Sequence, residues 1–390
     1  MISRKITASI QSGSMIRKMF EEGNRLKGIY GEDNVYDFSI GNPDLEPPEE
    51  VVRSLCALTA SPAPGMHGYM SNNGYLSTRT AVARSISTAS VTVPPEAICM
   101  TVGAAGAMNA VLKSILDPGD EVILLSPFFM EYINYIENHC GVAVIVPTDP
   151  DTFMPNMDRI DAAIGPKTKA IIINSPNNPS GALYPKEILS ALNDRLLSHG
   201  RVIHIISDEP YRELVYDGGS APSTISVIKN LIICYSWSKS LSLPGERIGY
   251  SAVSPEHEDF ELLTQAIVLA NRILGSVNAP ALFQKVIEFS IQAKVDITNY
   301  EKRRNLLYDI LIGAGFTVSK PAGAFYLFAR SPEDDLEFCR RCAEERILVV
   351  PGSAFSCPGY FRLAFCASEK TIRGSAEAFR VIGRSYGLCD

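Results

Sequence analysis

No run of apolar residues in the 390-residue chain approaches the length of a bilayer-spanning helix, so no membrane role is expected. The N-terminal stretch MISRKITASIQSGSM lacks an apolar core of signal-peptide length, which predicts a cytoplasmic protein. Basic residues are scattered and the formal net charge is −7; the densest basic cluster, EKRRN at 301–305, is balanced by neighbouring acids. That argues against nucleic acid as a partner. The nine cysteines are odd in number and dispersed, and several, such as Cys99 and Cys234, sit in apolar runs. Free thiols in a reducing compartment behave this way. Cys339 and Cys342 form a CxxC, but the second ligand pair of a zinc site is missing, so no metal is expected. The chain also lacks internal repeats, low-complexity tracts and a GxGxxG fingerprint, which makes a Rossmann nucleotide site a poor fit.

What is present is a globular composition, 46% apolar and 20% charged, in a chain too long for one ordinary core. Between residues 97 and 253 seven short apolar runs rich in Ile and Val alternate with helical stretches: AICMTV, EVILLS, VAVIV, KAIIIN, VIHIIS, LIICYS and IGYSAV. They do not alternate polar with apolar, which predicts a mainly parallel seven-stranded sheet buried on both faces. IGYSAV follows LIICYS so closely that this last pair could be antiparallel. The chain ends differ in character. Residues 14–30 form a charged amphipathic pattern, and long charged helical stretches surround the strand-like runs AGAFYLF and YFRLAF. The expected architecture is α/β: a large domain over 46–285 and a small α+β domain built from 1–45 and 286–390.

Ligands of open α/β sheets bind at the carboxyl ends of strands, so the residues following each run carry the functional argument. AICMTV is followed by Gly103-Ala104-Ala105-Gly106, which suits either an anion cradle at a helix start or a plain tight turn. After EVILLS, Phe129 could lie against a planar ring or belong to the core. SPNNPSG after KAIIIN is a stiff loop that can aim an amide or simply connect. DEPY after VIHIIS places the carboxylate of Asp208 at a strand end, as a ligand group or a helix cap. YSWSKSLSLPGERIGY presents Lys239 among serines, with Arg247 eight residues on. Lys239 is either a solvated loop lysine or a Schiff-base former whose neighbours grip a phosphate. All five features follow candidate strands of one sheet. A phosphate-bearing aromatic aldehyde would use every one of them, and pyridoxal phosphate has those parts.

On these motifs the chain resembles the class I/II aminotransferases of pyridoxal-phosphate fold type I, the aspartate aminotransferase-like fold. SWSKSLSLPGERIG is similar to the family's S-x-S-K with its later arginine, NSPNNPSG to N-x-P-x-N-P-[ST]-G, and DEPY to D-x-x-Y. The resemblance implies that Lys239 holds the cofactor as a Schiff base and shuttles a proton. It implies that Asp208 pairs with the pyridine nitrogen, that Tyr211 and Asn178 bond the 3′-oxygen, and that Phe129 stacks on the ring. Gly103, Ala104, Ala105, Ser236 and Arg247 would bind the phosphate, with Ser238 assisting. Arg362 in YFRLAF would grip the substrate carboxylate, beside Gly41 of GNPD. Tyr69 in HGYMSNNGY would reach the phosphate site of a neighbouring subunit, which implies a homodimer with shared active sites. The implied activity is transfer of an amino group between an L-amino acid and a 2-oxo acid, plausibly 2-oxoglutarate, in two half-reactions. A carbon–sulfur β-lyase or an aminocyclopropane-carboxylate-synthase-like enzyme shares most of these motifs. The chain departs from the pattern where some members carry a dicarboxylate-binding lysine, near Ala105. Arg272 in ANRILGS is a candidate substitute, reaching across from the partner.

Overall fold

The computed structural model describes residues 2–3, 6–7, 10 and 15–390. After the helix Met15–Tyr30, the short strand β1 (Tyr36–Asp37) precedes the main sheet. That sheet comprises β2 (Ile98–Thr101), β3 (Glu121–Ser126), β4 (Val142–Pro147), β5 (Thr168–Asn174), β6 (His204–Asp208), β7 (Leu231–Ser236) and β8 (Gly249–Val253). Their order is β2-β8-β7-β6-β5-β3-β4, and only β8 runs against the rest. The seven expected runs are thus seven strands, with β7 and β8 antiparallel as anticipated.

The continuous apolar runs have a direct cause. On β5, Ile171 and Ile173 enter one core cluster while Ala170 and Ile172 enter another on the opposite face. On β3, Ile123 and Leu125 divide from Val122 and Leu124 in the same way. Each strand side chain finds helices on its own face, and each fully buried Ile or Leu contributes about 1.5–3 kcal/mol. One strand departs from the expectation of burial on both faces. β4 is the sheet edge, where Val142 is 49% and Ile145 46% exposed. Its composition matches that of the buried strands, so its position at the edge could not be read from it.

A separate core lies toward the chain ends. β9 (Tyr326–Arg330), β10 (Ile347–Leu348), β11 (Val350–Pro351) and β12 (Tyr360–Ala364) follow in order. β9, β12 and β11 form an antiparallel sheet, while β10 pairs in parallel with β1. This core joins Phe38 and Tyr300 to Phe325, Leu363 and Phe379, and takes in Tyr211, Leu214 and Tyr216 from the middle of the chain. The helix Ala281–Ser290 belongs to the larger core through Val286 and Ile287, so the expected boundary at residue 285 falls inside a helix. Cys339 and Cys342 are buried on the helix Asp335–Glu344, where burial pushes both thiols up. Among the described residues, no helix is long and apolar enough to cross a membrane.

Candidate active site

Every parallel strand that carries a candidate residue delivers it to the same edge of the sheet. β8 runs the other way, so its start, just after Arg247, lies at that edge too. There a cavity of about 380 Å³ is lined by Gly41, Ala104, Ala105, Phe129, Asn178, Asp208, Tyr211, Ser236, Ser238, Lys239, Arg247 and Arg362.

One end of the cavity is built around Arg247. Gly103 opens the helix Gly103–Ile115 at φ 78°, and a Cβ there would meet Nη2 of Arg247 at 2.7 Å. Glycine is therefore required twice over, by its backbone angle and by the guanidinium lying against it. The result is a cation beside the first N–H groups of a helix, an arrangement suited to a phosphate. Ser236 and Ser238 line the same cavity.

Lys239 sits on the four-residue helix Trp237–Ser240, and its Nζ donates to the Gly41 carbonyl at 2.8 Å. Burial pulls its ammonium down to about 8, with the nearby Arg247 and Arg362 charges acting in the same direction and Cys366 opposing. About a tenth of such a lysine is neutral at pH 7, against under one in a thousand for a free one. The other serines of the loop do not line the cavity. Ser240 Oγ lies 2.7 Å from the Tyr235 hydroxyl, while Ser242 adopts φ 52° and its buried hydroxyl has no partner.

Asp208 ends β6. Its Oδ2 accepts a 2.5 Å hydrogen bond from the Tyr132 hydroxyl, and its Oδ1 is buried with no partner. Burial pushes the carboxyl up to about 7; the Tyr132 hydrogen bond opposes that, and Glu209 adds to it. A buried oxygen left without a donor is costly, so the site is built to receive one. The loop after β5 is locked to this strand. Asn174 Nδ2 donates to the Asp208 carbonyl at 2.8 Å, and the Asn178 N–H donates to Asn174 Oδ1 at 2.7 Å.

Arg362 closes the far side. Its guanidinium donates to Asn178 Oδ1 at 3.0 Å and to the Ser39 carbonyl at 2.6 Å, and its Nε has no partner. The rings of Tyr326 and Phe355 flank it at 4.5 and 4.8 Å. The side chain is 2% exposed, and no carboxylate among the described residues pairs with it. Gly41 faces it from the N-terminal segment, where a Cβ would collide with the Tyr326 hydroxyl.

The two residues expected to serve a neighbouring subunit lie outside this chain's cavity. Tyr69 is 96% exposed and does not line the cavity. Arg272 lines a different depression with Asn72, Glu96 and Leu269. Conversely, Tyr132, Tyr135 and Tyr326 line the cavity and were not singled out. Tyr132 lies three residues after Phe129, within the stretch PFFMEY, and its N–H donates to the Phe129 carbonyl in the turn that leads into the helix Glu131–Asn138. Tyr326 is one aromatic in the apolar run AGAFYLF and gives no such signal.

A buried amine, an arginine beside a helix start, an unpartnered carboxylate oxygen and a buried guanidinium with no carboxylate partner thus line one cavity, a set that suits a phosphorylated carbonyl cofactor and a carboxylic acid. The profile of the family described as "Aminotransferase class I and II" matches residues 33–379, and the chain belongs to that family. The chain is 34% identical to the aspartate/prephenate aminotransferase of Thermus thermophilus, over 98% of this chain and 99% of that one. It is 31% identical to aromatic-amino-acid aminotransferase 2 of Thermococcus litoralis, over 93% and 94%. A solved aminotransferase from Eubacterium rectale superposes with a TM-score of 0.96 at 39% identity, covering 99% of this chain and 100% of that one. Members of this family use pyridoxal 5′-phosphate, and the chain is a pyridoxal-phosphate-dependent aminotransferase.

Proposed function

We propose that the enzyme moves the amino group of an L-amino acid to a 2-oxo acid, with 2-oxoglutarate as the natural acceptor, in two half-reactions at one site. When bound, pyridoxal phosphate supplies an aldehyde that condenses with amines and a pyridinium ring that draws electrons from the substrate's Cα. Ser236, Arg247 and the N–H groups at Ala104 and Ala105 hold its phosphate, with Ser238 in support, and Phe129 covers its ring. Asn178 and Tyr211 bond the 3′-oxygen.

Asp208 keeps Oδ2 on Tyr132 and offers Oδ1 to the protonated ring nitrogen. That positive partner lowers the carboxyl from its cofactor-free value near 7 and holds it ionised. Arg362 meets the substrate carboxylate and gains the counter-ion it lacks in the chain alone; the bidentate fork sets the orientation of the Cα–H bond. Lys239 first holds the cofactor's carbonyl carbon. Once displaced by substrate, its amine would be the base that takes the Cα proton and gives it back at C4′; burial serves this by keeping more of the amine neutral, the form able to accept a proton. The observation that carries this reading is the unpartnered Oδ1 of Asp208 in the same cavity as Lys239 and Arg247.

Tyr69, exposed on this chain, is assigned to the phosphate of a second copy, so the working unit is a homodimer with shared sites. A cytoplasmic setting fits the nine free cysteines. Initial rates at several fixed acceptor concentrations test the two-stage scheme. Parallel double-reciprocal lines are expected; intersecting lines would rule it out.

A further inference from the structure

Tyr326 has no part in the scheme above, yet it stands at the junction of two groups that do. In the β9–β12 register it pairs with Ala364, while Arg362 pairs with Phe328. Tyr326 and Arg362 are therefore diagonal neighbours on one face of the small sheet. The guanidinium lies 4.5 Å from the Tyr326 ring centroid, within cation–π range. The Tyr326 hydroxyl lies 3.0 Å from the Tyr211 hydroxyl, and both residues are buried. Gly41 leaves room for that hydroxyl, since a side chain there would occupy its place.

Proton counting decides the direction of the bond. Each phenol has one proton to donate. If Tyr211 donates its proton to the cofactor's 3′-oxygen, it can only accept from Tyr326, so Tyr326 is the donor. We propose that Tyr326 is a positioning residue: its hydroxyl donates to Tyr211, aims the Tyr211 proton at the cofactor, and ties that bond to the occupancy of Arg362. This rests on the roles given to Tyr211 and Arg362 above.

The electrostatic consequence has a sign. The groups acting on Tyr326 are Arg362, Cys366 and Tyr211; Asp208 also acts on Tyr211. Lys239 lies nearby, within reach of Cys366 and Arg362. The Cys366 thiol is pushed up to about 12 by burial and stays neutral, so Arg362 supplies the charge that polarises the Tyr326 hydroxyl. With Arg362 unpaired, Tyr326 is a strong donor and Tyr211 a strong one in turn, because linked hydrogen bonds reinforce each other. A substrate carboxylate on Arg362 cancels part of that pull. Tyr211 donation favours the cofactor form with more negative charge on the 3′-oxygen, which is the deprotonated one. Weakening the relay therefore raises the proton affinity at the cofactor when substrate arrives.

The test is the pH titration of the visible absorbance of the cofactor-loaded protein, without substrate, with KM for the amino donor measured in parallel. Tyr326→Phe keeps the ring beneath Arg362 and removes only the hydroxyl. Its absorbance midpoint should rise by roughly half a pH unit, about threefold in proton affinity, while KM stays within about threefold. Tyr326→Leu should show the same rise and an additional KM increase of roughly tenfold through loss of the ring. Tyr211→Phe should move the midpoint further than either. An unmoved midpoint in Tyr326→Phe alongside a shifted Tyr211→Phe would overturn the relay and leave the site assignment standing. An unmoved Tyr211→Phe would overturn the assignment of Tyr211 itself.

Discussion

Replacing Tyr132 with phenylalanine removes one hydroxyl and keeps the ring that stacks edge-on against Phe129 at 5.8 Å. The lost bond is the 2.5 Å donation to Oδ2 of Asp208, between two buried side chains. A hydrogen bond to a charged group contributes about 1.5–3 kcal/mol. Taking ~2 kcal/mol, the Asp208 carboxyl should climb by about 1.5 pH units, from its starting point near 7. In the proposed scheme it is ionised Asp208 that pairs with the protonated ring nitrogen, so apparent cofactor affinity should fall by the fraction left protonated. At pH 7 that fraction gives a Kd about 15-fold weaker than wild type. At pH 9 the carboxyl is mostly ionised in both proteins, and the ratio falls toward one. Titrating the cofactor-free protein with pyridoxal phosphate by tryptophan fluorescence, from pH 6.5 to 9, measures this directly. A ratio that stays large at every pH would mean that Tyr132 acts through shape alone. A ratio near one throughout would mean that Asp208 is not the partner of the ring nitrogen.

Other perturbations follow from single contacts. Gly103→Ala places a Cβ at φ 78°, against Nη2 of Arg247; the left-handed angle alone costs about 1–2 kcal/mol, read by urea denaturation. The same variant should lose affinity for pyridoxal phosphate more than for pyridoxal, because the damage falls on the phosphate end. His204 and His257 stack in the interior with ring nitrogens 2.9 Å apart, and burial holds both well below the ordinary histidine range. They stay neutral when folded and take up protons when unfolded. Their stabilising contribution is therefore present above about pH 6.5 and lost as pH falls, at up to ~1.4 kcal/mol per pH unit for each ring. His204→Leu should flatten the pH dependence of unfolding between pH 7 and 5, and an unchanged slope would refute that origin.

The large sheet was legible because its runs are apolar on both faces, and the site because cofactor chemistry demands particular side chains at strand ends. Lys239, Asp208, Asn178 and Arg247 are scattered over some seventy residues of sequence yet line one cavity. Other features carry no local mark. β4 has the Val and Ile content of its buried neighbours but lies at the edge, since strand order is set by crossovers and not by composition. Tyr326 reads as one more core aromatic, and only the pairing of β9 with β12 brings it beside Arg362. Tyr132 takes its meaning from the carboxylate it bonds, on a residue 76 positions away. Tyr69 and Arg272 lie outside the cavity of the single chain, and only the family resemblance, not a local contact, connects them to a site.

The central claim is that Lys239 carries the cofactor. Reducing the pyridoxal-phosphate-loaded enzyme with borohydride, digesting it and mapping the modified peptide by mass spectrometry tests this most directly. The adduct is expected on Lys239 alone, and absent from a folded Lys239→Ala variant that also lacks turnover. Stoichiometric labelling of a different lysine, or wild-type turnover in Lys239→Ala, would contradict the account.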